Sequence, residues 1–577
     1  MCGWKSEPSG NVGRGRRPRL SERWSLLPST RWIAQTFQTS VLRASRSTLA
    51  AFAFLTALLA GCSRQESSAP PPPPPQHILR ISQRNEPADL DPATASLPDE
   101  LFIIRALSEG LVTPAPDNGA PEPAAAESWE VSADGLTYTF HLRSNAQWSN
   151  GAPVTAADFV ASYRRVLTPA TAAPKAPLFF MVKNARAFAT GQLNDFSAVG
   201  FWAPSPLTLV VTLERPMPQF LRYVASGPWI PVNPRIVTAL GRHWTRPGNF
   251  VGNGAFTLEE WRPQQRIVVR KNPSYHAADH IHLDEIQFIA FDSGDTEERA
   301  FRSGQLDITM AIPFAKLETY WTERPDEAHR APLAETRYLT FNTLRAPLND
   351  IRVRRALSLA LDRARLAEKV VRAGQEPAFR MVPPVLRGAD DHDSHLLGGG
   401  EENIATAREL LAAAGFPNGR GFPRLELSGW TIGPPVTEAI QEMWKKELGI
   451  DVKLLTREAK VHVAALRAGL YDIGFITAIP DVPDAINLLD DFTTGSPGNY
   501  PHWSDARYDE LMAAAAQAPE AAEQAARLRD AEARLLEQCP VAPLYFNTTN
   551  WLMRANVQGW HQDAFWTRFY HDVYLDE

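Results

Sequence analysis

An α/β chain divided into two or three domains is what the sequence predicts, and three observations carry that expectation. The first is the stretch from Tyr471 to Tyr500, where a short apolar run gives way to residues at helical spacing. Ile473 to Ile479, bounded by Asp472 and Pro480, has the length and β-branched content of a buried strand. Ile486, Leu489 and Phe492 then recur on one helix face. The second is an alternating, half-buried strand from Leu136 to Arg143, launched by the turn signal Asp134-Gly135. The third is size: 577 residues, 44% hydrophobic, supply a large core and exceed one compact domain.

Asp481 sits where the core strand passes into the helix. In open α/β sheets ligands bind there, outside the carboxyl ends of strands. An aspartate is also a common helix cap. The local pattern fits both roles.

Charge and cysteine usage narrow the function classes. The net charge is −6, but the first 61 residues hold nine Lys/Arg and only two Asp/Glu. The remainder carries 50 basic against 63 acidic residues, a net of −13. Such a body does not offset phosphate repulsion, so no nucleic-acid partner is expected. Cys2, Cys62 and Cys539 form no CxxC pair, which argues against a cysteine zinc site or a disulfide framework. No GxSxG, HExxH or P-loop string occurs, so neither an enzyme nor a cofactor is expected.

At the N-terminal end, Arg43 and Arg46 precede an apolar run from Leu49 to Ala60, the pattern of a secretory signal too short to span as a mature helix. Leu59-Ala60-Gly61-Cys62 resembles the lipobox of bacterial lipoproteins, which implies cleavage before Cys62 and acylation of its thiol. A polar stretch and six prolines, Pro70 to Pro75, follow as a semi-rigid spacer. Residues 1–40 read as a gene-model artefact or disordered extension, 41–61 as the signal peptide and 62–77 as a tether. The expected location is the bacterial cell envelope, periplasmic or outer-facing, with the protein lipid-anchored.

The body begins at His77. Ile78 to Ser82 reads as a strand and Glu86 to Pro92 as a loop. Thr155 is a helix N-cap with Asp158 three residues on, and Val160, Tyr163 and Leu167 follow on one face.

These residues carry a resemblance. The string from Glu86 to Phe159 resembles the solute-binding proteins of bacterial ABC peptide importers, the oligopeptide-binding type of extracellular solute-binding protein family 5. The likeness continues through Val251 to Phe256, Arg270 to Tyr275 and Phe301 to Ile308. It is densest from Phe341 to Arg363 and resumes at Trp444 to Ile450 and Ala531 to Leu536. The resemblance implies a two-lobed, periplasmic-binding-protein-like α/β fold with a hinge cleft and an additional small domain on lobe one. Lobe one is expected at 78–100, 231–337 and 547–577, the extra domain at 101–230 and lobe two at 338–546. It also implies a monomeric receptor that captures oligopeptides between the lobes and delivers them to permease and ATPase subunits. The alternative is an envelope-anchored protein for a dipeptide, nickel complex or other small solute, with a sensing role.

The family's ligand-binding aspartate, which pairs with the peptide α-ammonium, falls on Asp481. Removing such a desolvated charge typically costs ~2–5 kcal/mol. Thr477, Ala478, Ile479, Ser96, Lys175 and Asn253 complete the expected lining. The chain departs from the family around them. Ala478 stands for a common tryptophan, Val482 for a tyrosine, Ala459 for a tryptophan, and Lys175 where tyrosine is frequent. Pro480 removes one backbone donor beside the ligand. The Asp390, Asp391, His392, Asp393 and His395 cluster reads as a solvated loop bracketed by glycines, not a metal site. His276, His280 and His282 read as surface residues, and most of the sixteen tryptophans as core or cleft lining.

Overall fold

The structure is a computed structural model that describes residues 76–577, apart from 84–85, 96, 117–118, 387–400, 431–433, 519 and 577. The signal segment, Cys62, Ser96 and the cluster at 390–395 therefore lie outside the described residues.

Two sheets build two lobes. The first has four strands in the order Ile78–Gln83, Glu285–Ala290, Arg266–Lys271, Phe256–Arg262. Ile78–Gln83 pairs in parallel with Glu285–Ala290, a partner far along the chain, and the other pairs are antiparallel. Leu79, Ile81, Ile286 and Phe288 meet in one core beneath this sheet.

The second sheet has six strands in the order Glu376–Pro377, Val541–Leu552, Ala328–Phe341, Ile473–Ala478, Glu426–Trp430, Lys453–Arg457. Ile473–Ala478 is central, antiparallel to Ala328–Phe341 and parallel to Glu426–Trp430. Ile473 and Phe475 enter one core and Ile476 and Ala478 another. Burial on both faces is why the segment reads as a continuous apolar run rather than an alternating one.

Ala328–Phe341 and Val541–Leu552 pass from lobe to lobe. Ala328 and Leu552 pack with Phe301 and Leu306 of lobe one, whereas Leu339, Phe341, Ala542 and Leu544 belong to a lobe-two core. Their register breaks between Pro332 and Thr336. Pro332 has no N–H to continue the ladder, so the irregularity falls where the pair leaves one lobe. The expected boundaries at 337/338 and 546/547 each fall inside one of these crossing strands.

A third, antiparallel sheet of Ala126–Val131, Thr137–Leu142, Thr208–Thr212 and Phe201–Ser205 forms the small extra domain. Gly135 turns the chain into Thr137–Leu142 with φ of 68°, a conformation glycine adopts without a Cβ penalty. Tyr138, Phe140 and Leu142 then point inward in the expected alternation. Helix Ala156–Leu167 opens as expected, with the Asp158 carboxylate accepting from the Thr155 N–H at 2.9 Å. Tyr163 and Leu167 are buried, while Val160 lies at the edge of the stripe and is half-buried. Arg165 on this helix holds the buried Asp91 of lobe one with both nitrogens of its guanidinium fork, one at 2.8 Å. Val482, a lobe-two residue, is 1% exposed within the extra domain's aromatic core. Among the described residues no helix is long and apolar enough to cross a membrane.

Candidate functional site

Because Ile473–Ala478 and Glu426–Trp430 run parallel, their carboxyl ends open on the same side of the sheet. Trp430 and Thr477, at those ends, line a cavity of ≈ 540 Å³ whose opposite wall includes Leu97, Phe102, Met310 and Trp566. A second cavity of ≈ 260 Å³ shares Leu97, Ile479 and Trp566 with it and extends to Lys175, Arg222 and Asp481. The two spaces are one interlobe cleft, walled by lobe one, lobe two and the extra domain. Its place relative to the sheet follows the strand-end rule.

The loop that carries Asp481 is docked, not free. Pro480 and Pro483 disfavour helix in the residues before them and hold the loop extended. The Val482 side chain enters the extra-domain core, a burial of the kind that contributes about 1.5–3 kcal/mol. Arg222 of the extra domain donates to the Pro483 carbonyl at 2.8 Å. The Asp481 N–H donates to Asn487 Oδ1 at 2.6 Å. Its carboxylate pairs with the ammonium of Lys175, which lies just ahead of the turn Ala176–Phe179. Capping of the short helix Ala485–Leu489 falls to Asp484, whose Oδ1 accepts from the Ile486 N–H at 3.1 Å. The capping role considered for Asp481 thus belongs to the aspartate three residues later.

Carboxylates crowd this wall. Burial raises the Asp484 carboxyl above its ordinary range. The Asp491 carboxyl is pushed up to about 7 by desolvation, with the charges of Asp481 and Asp490 adding to the effect and Lys175 opposing it. Asp491 as a residue is exposed, but its carboxyl is packed so closely on Gly498 that a Cβ there would lie 2.1 Å from Oδ1.

The other expected lining residues divide. Ile479, 45% exposed, borders both cavities. Thr477 borders one, with its buried hydroxyl lacking a protein partner. Ala478 turns the opposite way, into a lobe-two core, because side chains alternate along a strand. Asn253 is not in the lining: it is 2% exposed, accepting from the Glu109 N–H at 3.2 Å and donating to the Glu109 carbonyl at 3.1 Å. Gly252 and Gly254 press on the backbone of Leu107 and Ser108 and set Asn253 inside the wall. His276 also departs from expectation. It is not a surface residue, since its Nε2 lies 2.8 Å from Glu109 Oε1 in a pair that is 10% exposed on each side. His280 and His282 are exposed.

Several cleft residues escaped the sequence reading. Arg337 lies over the Trp430 ring at 5.2 Å. Glu335 accepts from Asn547 Nδ2 and from Trp566 Nε1, each at 2.8 Å. Trp430 could have been found by applying to Glu426–Trp430 the strand-end rule applied to Ile473–Ala478. Glu335 and Asn547 lie on the crossing strands, with no local motif to mark them.

Behind Trp430, helix Ala459–Arg467 buries His462 completely. Its Nε2 donates to the Phe475 carbonyl at 2.9 Å, which leaves Nδ1 deprotonated and without a partner. Burial lowers its pKa from the ordinary value near 6.5. The folded chain therefore takes up this proton only at lower pH than the unfolded chain. The stabilisation contributed by neutral His462 is fully present above about pH 6.5 and is lost as the pH drops below it, by at most about 1.4 kcal/mol per pH unit for one proton. Between pH 7.5 and 5.0 the native chain should lose melting temperature relative to His462→Gln, a difference in which the opposite contribution of the raised Asp491 carboxyl cancels.

Comparison with known proteins places the cleft in a lineage. The family model described as bacterial extracellular solute-binding proteins, family 5 Middle, matches residues 120–500. The chain is 34% identical over 490 residues to the probable deoxycholate-binding periplasmic protein YgiS of Escherichia coli strain K12, covering 84% of this chain and 90% of that one. It is 32% identical over 481 residues to the periplasmic murein peptide-binding protein MppA of the same strain, covering 83% and 89%. Against the structure of the Escherichia coli murein tripeptide binding protein MppA the TM-score is 0.77, with 32% identity over 87% of this chain and 98% of that one. The two-lobed fold, the cleft at the strand ends and the extent of these matches agree: the chain belongs to the bacterial extracellular solute-binding proteins of family 5.

Proposed function

We propose that the protein is the receptor of an ABC importer, capturing an oligopeptide between its lobes and delivering it to a membrane permease. The observation that carries this reading is Asp481, a carboxylate held at the strand ends on the wall of an interlobe cleft. A peptide brings an ammonium at one end and a carboxylate at the other. The cleft offers Asp481 toward the first and Arg337 toward the second, with Trp430 and Trp566 as apolar walls between. Roomy, wet pockets would tolerate varied side chains while backbone contacts supply affinity. The chain performs no chemistry in this role, and ATP hydrolysis belongs to the partner subunits. It acts as a monomer, tethered to the membrane through acylated Cys62.

Native mass spectrometry of the purified protein with a peptide mixture tests the reading, with one-to-one peptide adducts expected. Small-angle scattering should also show compaction at saturating peptide, since ligand favours the closed state by the contacts it makes only there. No adduct and no compaction would overturn peptide capture. A second reading is favoured by the apolar side chains of Leu97, Leu101, Leu178 and Phe565 beside Asp481. It takes an apolar acid as ligand, the class named for YgiS. Deoxycholate in the same experiment separates the two.

A further inference from the structure

We propose that Lys175 is an internal competitor for the Asp481 carboxylate, and that it weakens the cleft's preference for ligands with a free α-ammonium over ligands whose amino end is blocked. This rests on the peptide-receptor reading, with Asp481 as its cation-accepting group. A lysine side chain ends in a primary ammonium with three donors, the same chemical group that a free peptide N-terminus presents. In this structure that group comes from the chain itself: Lys175 on the extra domain is bound to Asp481 on lobe two.

The pair is built into the wall of the cleft. Lys175 sits where a tight turn begins, its carbonyl accepting from the Leu178 N–H at 3.0 Å. The acceptor loop is held on the same domain by Val482 in the core and by Arg222 on the Pro483 carbonyl. Among the described residues Lys175 is the cation whose contact with the Asp481 carboxylate is seen. Arg222 is engaged by Pro483, the Asp481 N–H is engaged by Asn487, and Pro480 has no N–H. A ligand with a free ammonium must therefore share the Asp481 carboxylate with a second cation or take Oδ1 from Lys175, and either weakens its hold. A ligand with a blocked amino end leaves the pair intact and meets Leu97, Leu101, Leu178 and Phe565 around it.

Lys175 and Asp481 are 29% and 37% exposed, so solvent screens the pair and the competition is moderate. Calorimetry on one peptide and its N-acetylated counterpart, with the native chain and Lys175→Gln, measures it. The native chain should prefer the free amine by less than tenfold. Lys175→Gln should bind the free-amine peptide about threefold to tenfold more tightly, with the acetylated peptide unchanged. In an Asp481→Asn background the same substitution should give no gain. A gain below threefold, an equal gain for both peptides, or a gain that survives Asp481→Asn would overturn the proposal while leaving peptide capture intact. If neither peptide binds either protein, and both proteins keep their thermal transition, peptide capture itself fails and the competition falls with it.

Discussion

Asp481→Asn should weaken binding of a free-amine peptide by about tenfold to a hundredfold in a chain that also carries Lys175→Gln, and by less than tenfold in the otherwise native chain. The larger figure corresponds to ~1.4–2.8 kcal/mol. It is set at the low end of what a fully desolvated charge pair loses, because the Asp481 side chain is 37% exposed. The smaller figure follows from competition, since in the native chain the ligand's ammonium shares the carboxylate with one already present or replaces it. The structure also removes the main ambiguity of this substitution. Asp484 caps the helix that follows, so Asp481→Asn should leave the melting temperature nearly unchanged. A double-mutant cycle by calorimetry isolates the coupling between residues 175 and 481. Equal losses in both backgrounds would mean that Lys175 and the ligand do not share the carboxylate. No loss in either, despite good binding, would remove Asp481 from the site.

Cys62→Ser should produce a chain that is uncut or poorly cut and carries no lipid. The expectation comes from Leu59-Ala60-Gly61-Cys62 after an apolar run, with a polar and Pro-rich stretch behind it. The effect is close to all-or-none because anchoring energy scales at about 0.8 kcal/mol per buried CH₂ group, and two acyl chains hold where one is marginal. Peptide affinity of the purified variant should match the native chain, since the cleft is built from residues beyond the tether. Normal metabolic lipid labelling of Cys62→Ser would refute the anchor.

Local information in the sequence was enough for elements whose determinants are neighbours in the chain. The strand Ile473–Ala478, the Asp134-Gly135 turn and the Thr155 cap were all legible because strand runs, turn types and caps are set within a few residues. Asp481 at the cleft was legible too, but only where the strand-end rule was joined by the family resemblance, since the local pattern fitted a cap equally well. The failures share one physical cause, contacts between residues distant in sequence. Asn253 and His276 looked like cleft and surface residues, and both proved to be engaged with Glu109 from another part of the chain. That Asp484 rather than Asp481 is the cap depends on the path of a loop bent by Pro480 and Pro483 and drawn aside by Val482. Lys175 was placed in the lining by resemblance, but that its ammonium takes Asp481 depends on how lobe two docks against the extra domain. By itself the sequence determined which strand ends at the interlobe cleft and which carboxylate stands there. Only the tertiary structure decided which cation that carboxylate holds, because the pairing depends on an inter-domain distance of a few ångströms that no local pattern encodes.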